Sequence, residues 1–191
     1  MRISAGTYKG RKIGTKKLFS NKSGPADLRP TPSKVREAIF DILKHVLAGA
    51  SFLDLYAGTG AVGIEAASRG AGRVIFVESV RSRAETIGKM TQQLGISASS
   101  EIHSGQALVF LKHAAAAGSR YDIIFADPPY ASDEIAHIVP LIAECGILDA
   151  QGILLIEHAR KKQIPERSGS LVIKKRYHYG DTMLSLYRRD E

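Results

Sequence analysis

Apolar and polar positions follow two periods along this chain, and each change of period marks an element. Ile3, Ala5 and Thr7 alternate with polar neighbours, Gly10 offers a turn, and Ile13 and Leu18 follow. That pattern predicts two short strands within residues 2–18, with Lys9, Gly10, Arg11 and Lys12 at the hairpin tip. Residues 19–30 are polar and read as a loop. Val35, Ile39, Ile42, Leu43 and Val46 recur at helical spacing, which predicts a helix over 33–48 capped by Thr31 or Ser33. A regular alternation then begins. Strands are predicted at 51–56, 73–77, 101–104, 121–126 and 152–157, and helices at 61–69, 80–94, 107–117 and 133–144. The run Ile123-Ile-Phe-Ala126 is continuously apolar, as in a strand buried on both faces. Residues 171–179 and 183–187, joined at Gly180-Asp181, predict an antiparallel hairpin. Strands alternating with helices give an α/β fold, a doubly wound and mostly parallel sheet with an antiparallel C-terminal edge.

The chain has 191 residues, enough for one domain with a full core. No apolar run approaches the roughly 18 residues needed to span a bilayer, and the N-terminus lacks a signal-peptide block, so no membrane association is expected. A single cysteine, Cys145, excludes an internal disulfide and fits a reducing cytoplasm. The six histidines are scattered, so no metal is expected. Charge alters the picture more. Residues 1–36 hold ten Lys or Arg against the single acid Asp27, a balance of +9. The remainder holds 17 basic and 18 acidic residues, −1, which restores the net +8. A basic arm on a nearly neutral body suggests a polyanionic partner, nucleic acid before an acidic membrane surface. The plainer reading is a solubilising tail. Arg36 and Glu37 read either as a surface ion pair or as a flank of a substrate cleft.

The chemistry gathers at Asp127-Pro128-Pro129-Tyr130, where the central strand stops. Two prolines fix φ and remove two donors, leaving a carboxylate, free carbonyls and an aromatic ring at a strand's carboxyl end. An amino group on an aromatic base is a poor nucleophile because its lone pair is delocalised. Acceptors on its two N–H bonds, here the Asp127 carboxylate and the Pro128 carbonyl, would favour a tetrahedral nitrogen. Tyr130 would stack on a base turned out of its helix. The plainer reading is a strand followed by a rigid turn.

Gly58-Thr-Gly60-Ala-Val-Gly63 follows a strand and opens a helix, with Glu78 twenty residues after Gly58. This is also the dinucleotide fingerprint, so a nicotinamide enzyme is a competing reading. Asp54, just before the turn, separates the two. A carboxylate there repels a pyrophosphate but attracts the ammonium and sulfonium of S-adenosylmethionine. Asp54 could also cap backbone amides of the turn. Gln106 is placed to accept from an adenine amino group, or simply to face water at a helix start.

Asp54-Leu-Tyr-Ala-Gly-Thr-Gly60, Glu78 and Asp127-Pro-Pro-Tyr130, in that order, resemble class I S-adenosylmethionine-dependent methyltransferases acting on exocyclic amino groups. Lys9-Gly-Arg11, Arg29-Pro-Thr31, Val35-Arg-Glu37, Phe52 to Gly58 and the late Tyr179-Gly180 narrow the likeness to the RsmD type, bacterial 16S ribosomal RNA guanine-N2 methyltransferases. The resemblance covers almost the whole chain. It implies a Rossmann-like, seven-stranded sheet over residues 33–191, with residues 1–32 as a basic RNA-binding hairpin arm. It implies S-adenosylmethionine as donor and a guanine of 16S RNA as acceptor, within the small ribosomal subunit, with the enzyme a monomer. On this reading the catalytic residues are Asp127, Pro128, Pro129 and Tyr130. The cofactor would meet Asp54, Tyr56, Ala57, Gly58, Gly60, Glu78, Ser79, Gln106, Ala107 and Asp127. RNA would meet Lys9, Arg11, Lys12, Lys16, Lys17, Arg29 and Arg36. Gly105-Gln106 departs from the glycine–aspartate usual in such enzymes. The remaining alternatives are an amino methyltransferase acting on adenine or cytosine in DNA or other RNA or on a protein glutamine, the nicotinamide oxidoreductase, and a non-catalytic RNA-binding module.

Overall fold

The computed structural model describes residues 2–12 and 33–190. Expectations resting on Ile13, Leu18, Lys16, Lys17, the polar loop, Arg29 and Thr31 lie outside the described residues. The elements run α1 (Ser33–Leu43), β1 (Ser51–Asp54), α2 (Ala61–Ser68), β2 (Arg73–Glu78), α3 (Arg81–Leu94), β3 (Ser100–Ser104) and α4 (Ala107–Ala116). They continue with β4 (Tyr121–Ala126), α5 (Glu134–Cys145), β5 (Leu148–Ala159), β6 (Arg167–Ser168), β7 (Leu171–Tyr179) and β8 (Thr182–Arg189).

One sheet carries all eight strands in the order β3-β2-β1-β4-β5-β8-β7-β6. Strands β1 to β5 are parallel, whereas β8, β7 and β6 each pair antiparallel. The expected seven strands are therefore joined by an eighth. It is only Arg167-Ser168, folded back on β7 through Gly169, and two residues are too short to show any alternation. The chain winds outward from β1 to β3 and then crosses back to β4, beside β1. That reversal opens a crevice at the carboxyl ends of β1 and β4.

Neighbouring residues of the central strands feed opposite cores. Phe52, Phe76, Phe125 and Leu155 pack with α1, α2 and α3, while Leu53, Ile75, Ile124 and Leu154 pack with α4 and α5. Both faces are covered, which is why these strands read as continuous apolar runs. The first helix stops at Leu43, short of the expected 48. The Val46 amide bonds Leu43 in a tight turn, which exposes Val46 (37%) and buries Leu47 and Ala50 instead.

Residues 2–12 form a turn closed by one antiparallel bridge, Arg2 with Lys12; the second of the two expected strands lies largely outside the described residues. The Gly10 amide donates to Ile3 and the Ile3 amide to Arg11. The tip falls at Thr7 to Gly10, so Arg11 and Lys12 lie on its returning side. Ile3 is fully buried among the α1 side of the core.

Candidate active site

The turn after β1 is held by carboxylates. The Asp54 side chain, almost completely buried, accepts the Gly63 amide at 3.0 Å through Oδ2 and so ties the first turn of α2 to the end of β1. The backbone-capping role open to Asp54 is the one its hydrogen bond displays. Glu78 divides its oxygens, Oε2 accepting from the Gly58 amide and Oε1 from the Val80 amide, both at 2.8 Å. Gly58 (φ +53°) and Gly60 (φ +72°) occupy left-handed conformations that glycine adopts at little cost. Gly63 serves packing: a Cβ there would lie 2.2 Å from the Phe76 ring. The third glycine of the fingerprint thus lets α2 settle on β2.

At the end of β4, Ala126 pairs with Ile156 of β5, so Asp127 and Glu157 each follow a paired residue and lie within range of one another's charge. Glu157 lies two residues beyond Leu155 within β5 and so shares its face of the strand. Glu157 is 2% exposed. The Tyr130 hydroxyl donates to its Oε1 at 3.3 Å and lies 3.0 Å from Thr182 Oγ1. Tyr130 itself is 38% exposed, at the rim. Of the two proline carbonyls expected to be free, that of Pro129 is taken by the Ser132 amide and hydroxyl. The Pro128 carbonyl remains the candidate acceptor. Tyr56 is bound through its hydroxyl to Glu134 of α5.

Burial and mutual repulsion govern this electrostatic site. Burial first, eased by the Gly63 amide and reinforced by Asp127 and Glu78, pushes the Asp54 carboxyl up to about 7. Burial raises Asp127, and burial together with the Asp127 charge raises Glu157. Among the described residues, Arg83 lies 3.8 Å from Glu78. Such a group of acids disfavours a pyrophosphate and suits a cation.

The other expected positions are scattered by comparison. Ser79 and Gln106 are exposed at the ends of β2 and β3, Gln106 preceding α4, while Ala57 and Ala107 are buried beside them. Lys9, Arg11 and Lys12 are exposed, with the Arg11 guanidinium 5.2 Å above the Tyr8 ring. Arg36, expected on RNA phosphate or paired at the surface with Glu37, is 7% exposed. Its guanidinium lies 3.8 Å from Glu65 and donates to the Arg2 carbonyl at 3.2 Å. Helical periodicity turned it inward beside Val35 and Ile39, where it acts as an internal cation. Sequence reasoning gave no role to Glu157, Thr182, Glu65 or Glu134. A signal existed for Glu157: it ends the apolar run Ile153–Ile156 as Asp127 ends Ile123–Ala126.

The family model described as Conserved hypothetical protein 95 matches residues 1–188. Ribosomal RNA small subunit methyltransferase D of Escherichia coli K12 is 28% identical over 190 residues, covering all of this chain and 90% of that one. The chain belongs to the RsmD family. YlbH of Bacillus subtilis strain 168 is 33% identical over 189 residues, 99% of each chain. The solved structure of Escherichia coli yhhF superposes with a TM-score of 0.82 at 27% identity, over 100% of this chain and 98% of that one. At 14% identity and a TM-score of 0.65, over 85% of this chain and 95% of the other, the fold extends to an RNA methyltransferase of Salinibacter ruber solved with S-adenosyl-L-homocysteine.

Proposed function

We propose that this RsmD-family protein transfers a methyl group from S-adenosylmethionine to the exocyclic N2 of a guanine in 16S ribosomal RNA. The observation that carries the reading is the set of carboxylates at the ends of β1, β2 and β4, the buried Asp54 and Glu78 and the half-buried Asp127. A ligand bearing ammonium and sulfonium charges relieves their repulsion, and a dinucleotide would add to it. The names of the curated relatives support ribosomal RNA of the small subunit as substrate. Guanine N2 rests on the residues shared with the RsmD type.

S-adenosylmethionine would be held by Asp54, Tyr56, Ala57 and the 58–60 backbone at its methionine end, by Glu78 and Ser79 at the ribose, and by Gln106 and Ala107 at the adenine. It supplies an already activated methyl, whose bond to sulfur breaks as nitrogen bonds to carbon, the sulfur keeping the electron pair. The protein's own part is positioning. Tyr130 stacks on the extruded base, while Asp127 and the Pro128 carbonyl accept the two N2 hydrogens. Asp127, raised by burial, can take the proton that the methylated nitrogen releases. The N-terminal arm, with Lys9, Arg11 and Lys12 and with Lys16, Lys17 and Arg29 beyond the described residues, binds phosphate without reading sequence.

The test is methyl transfer from labelled S-adenosylmethionine to small subunits that lack the modification, followed by nucleoside analysis. Labelled N2-methylguanosine is expected. Label on another nucleoside would overturn the acceptor, and no label on subunits or RNA would overturn the activity.

A further inference from the structure

Within the crevice, one buried polar atom has no structural employment. Glu157 Oε2 has no hydrogen-bond partner among the described residues, although its residue is 2% exposed. Its sister Oε1 is served by Tyr130. An unpartnered carboxylate oxygen in such a place costs free energy unless a ligand donates to it. The β4–β5 register ends with Ala126 opposite Ile156, so Asp127 and Glu157 each follow a paired residue at the same end of the sheet, close enough for the Asp127 charge to act on Glu157.

Resting on the function proposed above, we infer that Glu157 reads the target base as guanine, its free Oε2 accepting the base N1–H while Asp127 accepts an N2–H. Guanine presents two adjacent kinds of donor on this edge, N1–H and the N2 amino group. Adenine beside its N6 amino group, and cytosine beside its N4, present a ring-nitrogen lone pair instead. Two neighbouring carboxylates therefore complement guanine, whose donors favour their ionised form, whereas adenine and cytosine set a ring-nitrogen lone pair against an oxygen that would have to keep its proton to bind them. Donors on the base also offset the repulsion from Asp127 that raises the Glu157 carboxyl. Tyr130 links the two tasks, because the ring proposed to stack on the base also orients the carboxylate through its hydroxyl. This makes Glu157 a specificity residue, distinct from the Asp127 role at the reacting nitrogen.

The test uses small subunits reconstituted from 16S RNA carrying either guanine or 2-aminopurine at the nucleotide that the wild type methylates. 2-Aminopurine keeps the C2 amino group but has a lone pair at N1. Wild-type kcat/KM should favour guanine by roughly ten- to hundredfold, the discrimination typical of a good two-point base contact. Glu157→Gln should lose activity on guanine and narrow or invert the ratio, since a carboxamide can turn its NH₂ toward a lone pair at N1. A merely structural glutamate would leave the ratio unmoved. An unchanged ratio in Glu157→Gln would overturn the inference while leaving the methyltransferase function standing. Equal use of the two bases by the wild type would do the same, whether or not the variant folds. Failure of the wild type to form N2-methylguanosine on ordinary subunits would overturn both.

Discussion

Asp54 and Asp127 are acids whose properties come from their surroundings. Asp54, at about 7 rather than 3.8, is largely protonated just below neutrality. A cationic ligand favours its ionised form, so affinity for S-adenosylmethionine should rise with pH. Between pH 5.5 and 7, calorimetric Kd should fall roughly tenfold, with proton release on binding. Asp54→Asn can still accept the Gly63 amide and should flatten that dependence. Asp127→Ala should bind cofactor within a few-fold of wild type but lose on the order of a hundredfold or more in kcat, as measured by single-turnover transfer. For stability the sign is opposite to that of a salt-bridged acid. Glu157 is raised in the folded protein, so its burden is absent at low pH and grows as pH climbs past the unfolded value of 4.5. Glu157→Gln should therefore raise Tm at pH 8, with the gain shrinking toward pH 4.5.

Among the elements, α2 does two jobs. Its start follows the glycine turn proposed to meet the cofactor, and its end receives residues 3–8. Glu65, fully buried, accepts the Ser4 and Ala5 amides, both at 3.0 Å, and the Ser4 hydroxyl at 2.6 Å, and it pairs with Arg69 at 2.9 Å. Burial alone would raise the Glu65 carboxyl, but the Ser4 donors and Arg69 outweigh it and hold it below the ordinary range. Ser68 takes the Thr7 amide on its carbonyl and the Tyr8 amide on its hydroxyl. This docking requires glycine at position 6, where φ is +81° and a Cβ would lie 1.8 Å from the Ser68 carbonyl oxygen. Gly6→Ala should destabilise the docked arm by about 1–3 kcal/mol, read as faster hydrogen exchange of residues 3–11, while cofactor binding changes little.

Among the described residues, the exposed Lys9, Arg11 and Lys12 and the buried carboxylates Asp54 and Glu78 sit apart. An eight-residue α2 is about 12 Å long and runs from the glycine turn after β1 toward the amino edge of the sheet. The Lys9 turn at its far end contacts RNA, on the proposed reading, well away from the reacting base. Replacing Lys9, Arg11 and Lys12 by alanine should reduce the salt slope of RNA binding by roughly two to three charges' worth. The loss should appear in KM, with kcat nearly kept. Among the described residues no helix is long and apolar enough to cross a membrane, and no group of three or more His, Cys, Asp or Glu could hold a metal ion.

Much of this was legible in the chain itself. Strand–helix alternation reports burial on two faces, which is a local property of side chains, so the parallel body, the central strand Tyr121–Ala126 and the turn around Gly58 to Gly63 could be read directly. Asp54, Glu78 and Asp127 were legible because each stands at a strand end, where pattern and chemistry coincide. What lay beyond the sequence depended on contacts between distant residues. That Arg36 turns inward depends on Glu65, 29 residues later, and on the Arg2 carbonyl. The two-residue β6 exists only because β7 lies beside it. Glu157 looked like the end of one more buried strand, and only the pairing of β5 with β4 set it against Asp127 and Tyr130. Periodicity along the chain records whether a side chain is buried, whereas its neighbour is chosen by sheet order and register, which arise only when the chain closes on itself.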